Sequence, residues 1–194
     1  MIVEKGIVHS IGIRLRRLML RVICQLTSYE VTMGVQPTLD PRFQIDFRGA
    51  DPGQASVTVG DKFIARNDVS FRIRNAGKLV IGNHCFINSL SSLNVLNRVT
   101  IGNNCLFGSN VHIYDHNHRF NLESTTTGQS GYSTGEVRVG DNCWLGTGVV
   151  LLPGADIGKD SVVGANVVVK SAIPPGSLVT ATDSTYWVEA IKFK

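Results

Sequence analysis

The chain of 194 residues lacks long apolar runs, CxxC spacings and a strong excess of charge of either sign. No apolar run approaches the roughly 18 residues that a membrane-spanning helix needs. The N-terminus makes a poor signal peptide, because arginines interrupt its apolar residues and no small-residue cleavage site follows. The net charge of +4 does not by itself argue for nucleic acid. These absences lead us to expect a cytoplasmic protein with reduced thiols and no nucleic-acid partner.

What the sequence does contain is a six-residue period. It is clearest between residues 137 and 170, where apolar residues recur every sixth position: Val139, Leu145, Leu151, Ile157, Val163 and Val169. Four of the six are followed directly by glycine. This period fits neither an α-helix at 3.6 residues nor a simple strand alternation at two. It is typical of short extended segments joined by tight corners, three of which close one coil of a parallel β-helix.

The period therefore predicts an all-β fold and a division of the chain. Residues 57–174 should form a β-helix of about five coils, with a protruding polar loop at 117–136 where the phase breaks. Residues 31–56 are an irregular lead-in, within which Phe43 to Phe47 could form a degenerate first coil. Pro174 and Pro175 cannot continue a strand ladder, so we expect the β-helix to stop there. Residues 175–194 should then fold back as a C-terminal cap.

Residues 1–30 have a helical rather than a six-residue pattern. Their first 28 positions hold five lysines and arginines against Glu4 alone, and the apolar residues fall on one helical face. One interpretation is a helix that caps the open end of the β-helix. The alternative is a basic amphipathic helix that rests peripherally on the inner face of an anionic membrane.

Three cysteines occupy one repeat position. Cys85, Cys105 and Cys143 each follow an Ile-Gly or Val-Gly pair at the same distance. On stacked coils they should lie one above another, about 4.8 Å apart per coil. We predict compact buried fillers, because a metal or redox cluster would want CxxC spacing and histidine partners.

The motifs IGNNCLFGSNVHIYDHNH and VRVGDNCWLGTGVVLLPGADIGKDSVVGANVVVKSAIPPG resemble the hexapeptide-repeat acyltransferases. The likeness extends in particular to galactoside and maltose O-acetyltransferases and to O-antigen and capsule sugar acetyltransferases. It implies a left-handed β-helix, a homotrimer, and acetyl-CoA bound between neighbouring subunits. It also implies direct transfer of acetyl to a sugar hydroxyl, the acceptor being a surface-polysaccharide unit or a lipid-linked saccharide.

The same resemblance points to the catalytic residues. Counting without gaps from Ile101 puts the family's histidine base at His118, with His116 as the competing candidate. Histidine suits the task, because its ordinary pKa near 6.5 lets it take the hydroxyl proton and return it to the thiolate. Asp115 could orient the base, hold an acceptor hydroxyl, or only satisfy a backbone amide. Asn88 matches a family residue of the active-site cleft, or is a corner residue in a left-handed conformation.

On the coenzyme side, Trp144 matches a tryptophan that lines the pantetheine channel and should therefore point outward. Thr147 replaces a serine that meets the coenzyme. Gly164 and Ala165 match a pair whose backbone binds the pantetheine amides, and Lys170 stands where a phosphate contact is expected. The family's acidic residue before Ile101 is absent, since Val95 and Leu96 stand there. That departure argues against a simple galactoside acceptor.

Three other functions fit the sequence less well. N-acetylation of an amino sugar is a close variant of the same reaction. A γ-carbonic-anhydrase-like zinc protein would use His112, His116 and His118, but that family draws its ligands from separate coils. We therefore expect no metal. The third alternative is a trimeric adaptor without catalytic activity.

Overall fold

A computed structural model describes residues 29–119 and 131–181, and the backbone of a last strand at 186–190. The predicted N-terminal helix lies outside these ranges. Within them the chain forms a three-sided parallel β-helix of about six turns, which confirms the predicted fold class. No helix able to span a membrane occurs in the described part of the chain.

Each side of the β-helix is a sheet of short, parallel, in-register strands. The first face contains Glu30–Met33, Ser56–Val59, Lys78–Ile81, Arg98–Ile101, Glu136–Val139, Asp156–Ile157 and Ala172–Ile173. The second face contains Thr38–Leu39, Ile64–Ala65, Phe86–Ile87, Leu106–Phe107, Trp144–Leu145, Val162–Val163 and Ser177–Ala181, with Tyr186–Ala190 added antiparallel at its end. The third face contains Gln44–Asp46, Ser70–Ile73, Ser92–Val95, His112–Tyr114, Val150–Leu151 and Val168–Val169.

The six-residue period marks the residues that point into the core. Val139, Leu145 and Leu151 belong to three different faces of one coil, and each is at most 3% exposed. The next coil repeats the arrangement directly above. Because each strand offers only one or two inward positions, β-branched and aliphatic side chains fill the interior in flat layers.

The corners differ in how much chain they contain. Six residues separate successive inward positions at the first edge, between the first and second faces, as from Val139 to Leu145. The second edge, between the second and third faces, keeps the same spacing. At the third edge, which returns to the first face, the separation runs from 4 residues (Val169 to Ile173) to 26 (Ile113 to Val139).

Side chains hold the first edge in register. Asn83 Oδ1 accepts a hydrogen bond from the Asp61 backbone amide at 2.8 Å, and Asn103 Oδ1 accepts one from Asn83 at 2.8 Å. Asp141 continues this ladder by accepting from the amide of Asn103 at 2.6 Å. A side chain at Gly140 would place its Cβ 2.5 Å from the Lys159 nitrogen, so only glycine fits between these coils.

The cysteine column is buried, as predicted. Cys85, Cys105 and Cys143 are at most 2% exposed, and each thiol donates a hydrogen bond to a glycine carbonyl of the next coil. The contact with Cys105, together with burial, raises the pKa of the Cys143 thiol. The contact with Cys143 lowers the pKa of Cys105, but the contact with Cys85 and burial outweigh it and raise that pKa to about 12. The Cys105 and Cys143 thiols are therefore poor nucleophiles, whereas the contact with Cys105 lowers the pKa of the buried Cys85 thiol.

Two expectations about the ends of the β-helix need correction. Residues 30–46 form a complete first coil, so the count is about six turns rather than five. The β-helix also continues past Pro174 and Pro175, because Ser177–Ala181 pairs in parallel with Val162–Val163. Both prolines lie at the first edge, where their missing N–H groups remove nothing from the ladder, and Gly176 turns the chain at φ 68°.

Candidate active site

The site centres on the widest corner of the third edge. After Ile113 the chain leaves the coil and forms an antiparallel pair, His116–His118 with Tyr132–Thr134. Gly135 then donates to the Asp115 carbonyl at 2.7 Å and returns the chain to the first face. The polar loop predicted at 117–136 is therefore closed at its base by a short hairpin.

Asp115 is fully buried at this base, at 0% exposure. Its Oδ1 accepts from the Leu96 amide at 2.9 Å, and its Oδ2 accepts from the Asn97 amide at 2.7 Å. The next coil has left the sheet here, so the carboxylate replaces the carbonyls that would otherwise pair with these amides. Of the roles left open for Asp115, the contacts show that it satisfies backbone amides. Its contact with an acceptor hydroxyl stays a prediction, which the burial of the carboxylate does not favour.

The same carboxylate orients His116. His116 Nδ1 lies 2.9 Å from Asp115 Oδ1, and the histidine side chain is only 14% exposed. Because the carboxylate can only accept, Nδ1 carries the proton, and the neutral ring keeps its lone pair on Nε2. The Tyr132 ring packs edge-on against it, with centroids 5.3 Å apart. This is the arrangement that a general base requires.

His118 has a different environment on the same strand. It is exposed and stacks at a tilt on Tyr132, with ring centroids 4.5 Å apart. No hydrogen bond joins its ring to any other residue in the described ranges. The prediction that His118 is the base stays a prediction, while the contacts within the chain favour His116.

His116 forms part of the wall of a pocket of about 230 Å³. Six other residues line it: Arg72, Arg74, Asn75, Asn94, Leu96 and Tyr132. The floor belongs to the third face, where Arg72 and Asn94 are register partners on neighbouring strands. The pocket combines a hydrogen-bond acceptor on His116 with amides and guanidinium groups.

A chain of polar side chains fixes the orientation of Asn94. Asn94 Nδ2 donates to Ser92 Oγ at 3.1 Å and to the Ile113 carbonyl at 3.3 Å. Ser92 Oγ is in turn 2.8 Å from His112 Nδ1. Since both donated bonds use the amide nitrogen, Asn94 keeps its Oδ1 as an acceptor. His112 is thus a partly buried residue of the third face, held by Ser92 and by Asn110 Oδ1 at 3.0 Å from its Nε2.

The predicted coenzyme residues lie along the second edge. Trp144 points outward and is 53% exposed, as expected for a side chain too large for the core. Thr147 and Ala165 are exposed at successive corners, where the Asn166 amide donates to the Thr147 carbonyl at 2.8 Å. A Cβ at Gly146 would lie 2.7 Å from the Ala165 nitrogen, so these corners are close-packed.

Asn88 belongs to the same edge. Its Oδ1 accepts from the Ser89 amide at 2.8 Å, and its backbone is not in the left-handed region, which excludes one of the two interpretations offered for it. The left-handed residue of that corner is Leu90 (φ 65°). Lys170 is exposed at the third edge. Its backbone carbonyl lies next to Gly154 of the preceding coil.

One chain therefore has two separate groups of predicted residues. His116 lines the pocket with Asp115 behind it, whereas none of Trp144, Thr147 and the Gly164–Ala165 pair lines it. In the described ranges no three His, Cys, Asp or Glu side chains cluster closely enough to hold a metal ion.

Two family models match the chain. Residues 136–171 match the bacterial transferase hexapeptide (six repeats), and residues 98–113 match the hexapeptide repeat of succinyl-transferase. One relative is an Escherichia coli protein that is named as a lipopolysaccharide biosynthesis O-acetyl transferase. It is 29% identical to this chain over 131 residues, which cover 64% of this chain and 67% of that protein. The galactoside O-acetyltransferase of Escherichia coli is 40% identical over 77 residues, covering 40% of this chain and 37% of the relative.

The chain is thus similar to the hexapeptide-repeat acetyltransferases, and residues 136–171 carry the repeats of that family. A crystal structure of a hexapeptide-repeat acetyltransferase of Vibrio cholerae, in complex with acetyl coenzyme A, has the same fold with a TM-score of 0.57 at 23% identity. The match covers 93% of this chain and 79% of the Vibrio cholerae chain. Across five curated relatives, the matched stretch spans 37% to 67% of the relative's own length.

The sequence did not single out the pocket residues of this protein. Arg72 and Arg74 interrupt the apolar pattern of the second coil, and that interruption alone does not indicate a pocket. Their spacing of two residues predicts that both arginines face the same side, because alternate residues of a strand lie on the same face. Tyr132 follows a long polar loop, where no period exists to place it.

Proposed function

We propose that this protein is an acetyl-CoA-dependent O-acetyltransferase that acts on a sugar hydroxyl in surface polysaccharide biosynthesis. Similarity to the hexapeptide-repeat acetyltransferases supports acetyl transfer, and the name of the Escherichia coli relative supports a saccharide acceptor. The observation that carries the proposal is the pair of a fully buried carboxylate and an oriented histidine at the wall of an open pocket.

His116 is the base that the geometry favours. Its Nε2 accepts the proton of the acceptor hydroxyl while the hydroxyl oxygen attacks the carbonyl carbon of the acetyl thioester. The bond from that carbon to sulfur then breaks, and His116 returns the proton to the departing sulfur. Asp115 holds the ring in one tautomer and stabilises the imidazolium that forms between the two transfers. A cysteine nucleophile is not needed in this route.

His118 is the alternative base, as the resemblance predicts. A neighbouring subunit could supply the partner that His118 lacks within the described residues of one chain.

The residues of the second edge fit a role in binding acetyl-CoA. Trp144 offers an exposed aromatic face, and Thr147 and Ala165 leave their surroundings open to a ligand. Gly164 and Ala165 would bind the pantetheine arm through their backbone groups, and Lys170 would meet a phosphate. When bound, the coenzyme supplies the activated acetyl group. Because His116 and Trp144 do not share a pocket in one chain, we propose that they meet across a subunit boundary of a homotrimer.

The test is an acceptor screen with purified protein. Release of the coenzyme thiol from acetyl-CoA is followed with neutral, amino and acidic sugars, and mass spectrometry then identifies an ester or an amide product. We expect ester formation that depends on the acceptor. Amide formation would favour the amino-sugar reaction instead, and no thiol release with any acceptor would contradict the proposal.

A further inference from the structure

The pocket beside His116 has an uncompensated positive charge. Arg72 is exposed at its floor, and it makes no hydrogen bond or ion pair with any residue that the structure describes. A guanidinium group in this situation keeps all five of its N–H donors for a ligand. Its position is fixed by the register of the third face, next to Asn94 and within the same pocket as His116.

The carboxylate of the neighbouring strand does not neutralise Arg72. Asp46 is its register partner on the neighbouring strand, but the Asp46 carboxylate is bound by Arg48 and by Arg74, each at 3.0 Å. Hydrogen bonds from Arg48, and then from Arg74, hold the pKa of Asp46 well below its usual range. Two arginines thus share this carboxylate and Arg72 stands beside them without one, which leaves a local excess of positive charge.

The other lining residues fit an anion as well. None of the described residues that line the pocket is Asp or Glu. Asp115 lies behind His116 at 0% exposure, and its charge is held by backbone amides. A protonated amine would meet a repulsive field here, whereas an oxyanion would find a planar, bidentate donor in Arg72.

From this arrangement we propose that the acceptor is an anionic saccharide, bearing a phosphate or a carboxylate that Arg72 binds while a hydroxyl of the same sugar lies at His116 Nε2. The inference rests on the proposed acetyl transfer for its meaning, but the binding that it describes is independent of transfer. Arg72 is thus the residue that selects charged acceptors over neutral ones. Asn94 Oδ1 is an acceptor for a second hydroxyl in the same pocket.

Binding without acetyl-CoA separates this inference from the proposed reaction. Titration calorimetry at low ionic strength would compare galactose 1-phosphate and galacturonate with neutral methyl galactoside, on the full chain and on the Arg72→Gln variant. We expect tighter binding of at least one anion than of the neutral sugar, and a loss of about 10- to 100-fold in that affinity when Arg72 is replaced. The two anions distinguish a phosphate from a carboxylate ligand.

Arg138→Gln is the matched control, because Arg138 is an exposed arginine on the first face, away from the pocket. It should leave every affinity unchanged, and neither variant should shift the melting temperature. Equal binding of neutral and anionic sugars, no binding of either anion, or unchanged anion binding in Arg72→Gln would overturn the inference. So would weaker binding of coenzyme A to Arg72→Gln, since the arginine would then serve the coenzyme phosphates. Transfer to neutral sugars alone would leave the proposed function standing without it.

Discussion

Two stretches of this β-helix differ in the groups that accept hydrogen bonds from their buried backbone amides. From Val139 to Ile173 the inward positions are apolar except for Ser161, whose hydroxyl donates to the Pro174 carbonyl at 3.2 Å and accepts from the Ser177 amide at 3.1 Å. From Ile113 to Gly135 the next coil is displaced by a hairpin, and a charged side chain takes over as the acceptor. Asp115 is the one buried charged residue among those the structure describes.

The difference shows why chemistry is concentrated where the repeat is interrupted. In the regular stretch, neighbouring coils supply the partners of the backbone groups, and the buried polar side chain described there, Ser161, is uncharged. At the interruption, the amides of Leu96 and Asn97 require an acceptor, and the carboxylate that satisfies them also holds His116. One side chain thereby couples the completion of the fold to the orientation of a candidate base.

The largest expected effect separates the two histidines of the hairpin. His116→Ala should lower kcat/KM for acetyl transfer by about 10²- to 10⁴-fold, because the oriented proton acceptor is lost. His118→Ala should lower it by less than about tenfold. Steady-state thiol release from acetyl-CoA, with an acceptor found in the screen, measures both. The reverse ranking would identify His118 as the base and remove the reason for linking the buried carboxylate to catalysis.

The next effect tests the buried carboxylate against an exposed one. Asp115→Ala should lower the free energy of unfolding by about 3 kcal/mol or more, since two buried amides and His116 lose their acceptor. Asp141→Ala, in the exposed ladder of the first edge, should cost about 1 kcal/mol or less. Urea unfolding followed by circular dichroism gives both values. Similar costs for the two variants would mean that the interruption is no different from a regular corner.

A smaller effect is expected at the second edge. Trp144→Ala should raise KM for acetyl-CoA by about tenfold while changing kcat less, because an aromatic wall contact is lost in the ground state and transition state alike. KM for the acceptor should stay constant. A change confined to the acceptor KM would place Trp144 in the acceptor site instead.

The smallest effect concerns one corner of the regular coils. Leu90 holds φ 65° at a position where the other coils have Asp68, Asn110, Gly148 and Asn166. Leu90→Asn should therefore raise the free energy of unfolding by about 1 kcal/mol, through relief of left-handed strain. Leu106→Asn is the control, since Leu106 is similarly exposed but has an ordinary strand conformation, and it should give no gain. An equal gain from both would attribute the effect to surface polarity alone.

The period alone predicts most of the coils, because inward positions such as Leu145 and Leu151 must be apolar wherever coils stack. It does not predict the first coil at 30–46, where Pro37 and Pro41 obscure it. Nor does it predict the crossing at Pro174 and Pro175, where a corner tolerates what a strand would not.

The site is harder to predict than the fold. The short run from Asp115 to His118 predicts a histidine base, and no property of that run distinguishes its two histidines. The distinction depends on the direction of the Asp115 side chain. The backbone amides of Leu96 and Asn97, which it accepts from, set that direction, and they lie far from it in the sequence. The pocket arginines depend likewise on the register between strands rather than on any local motif.

The confinement of length variation to the third edge has a consequence for how such a molecule can change. Insertions or deletions there leave the two fixed edges, and with them the stacking of every coil, in the same alignment. A different loop could be grafted between His118 and Tyr132, beyond the contacts of Asp115 and His116, with little penalty for the remaining scaffold. The surroundings of the pocket can therefore change by exchange of one segment, while the stacking of the core and the second edge stays the same.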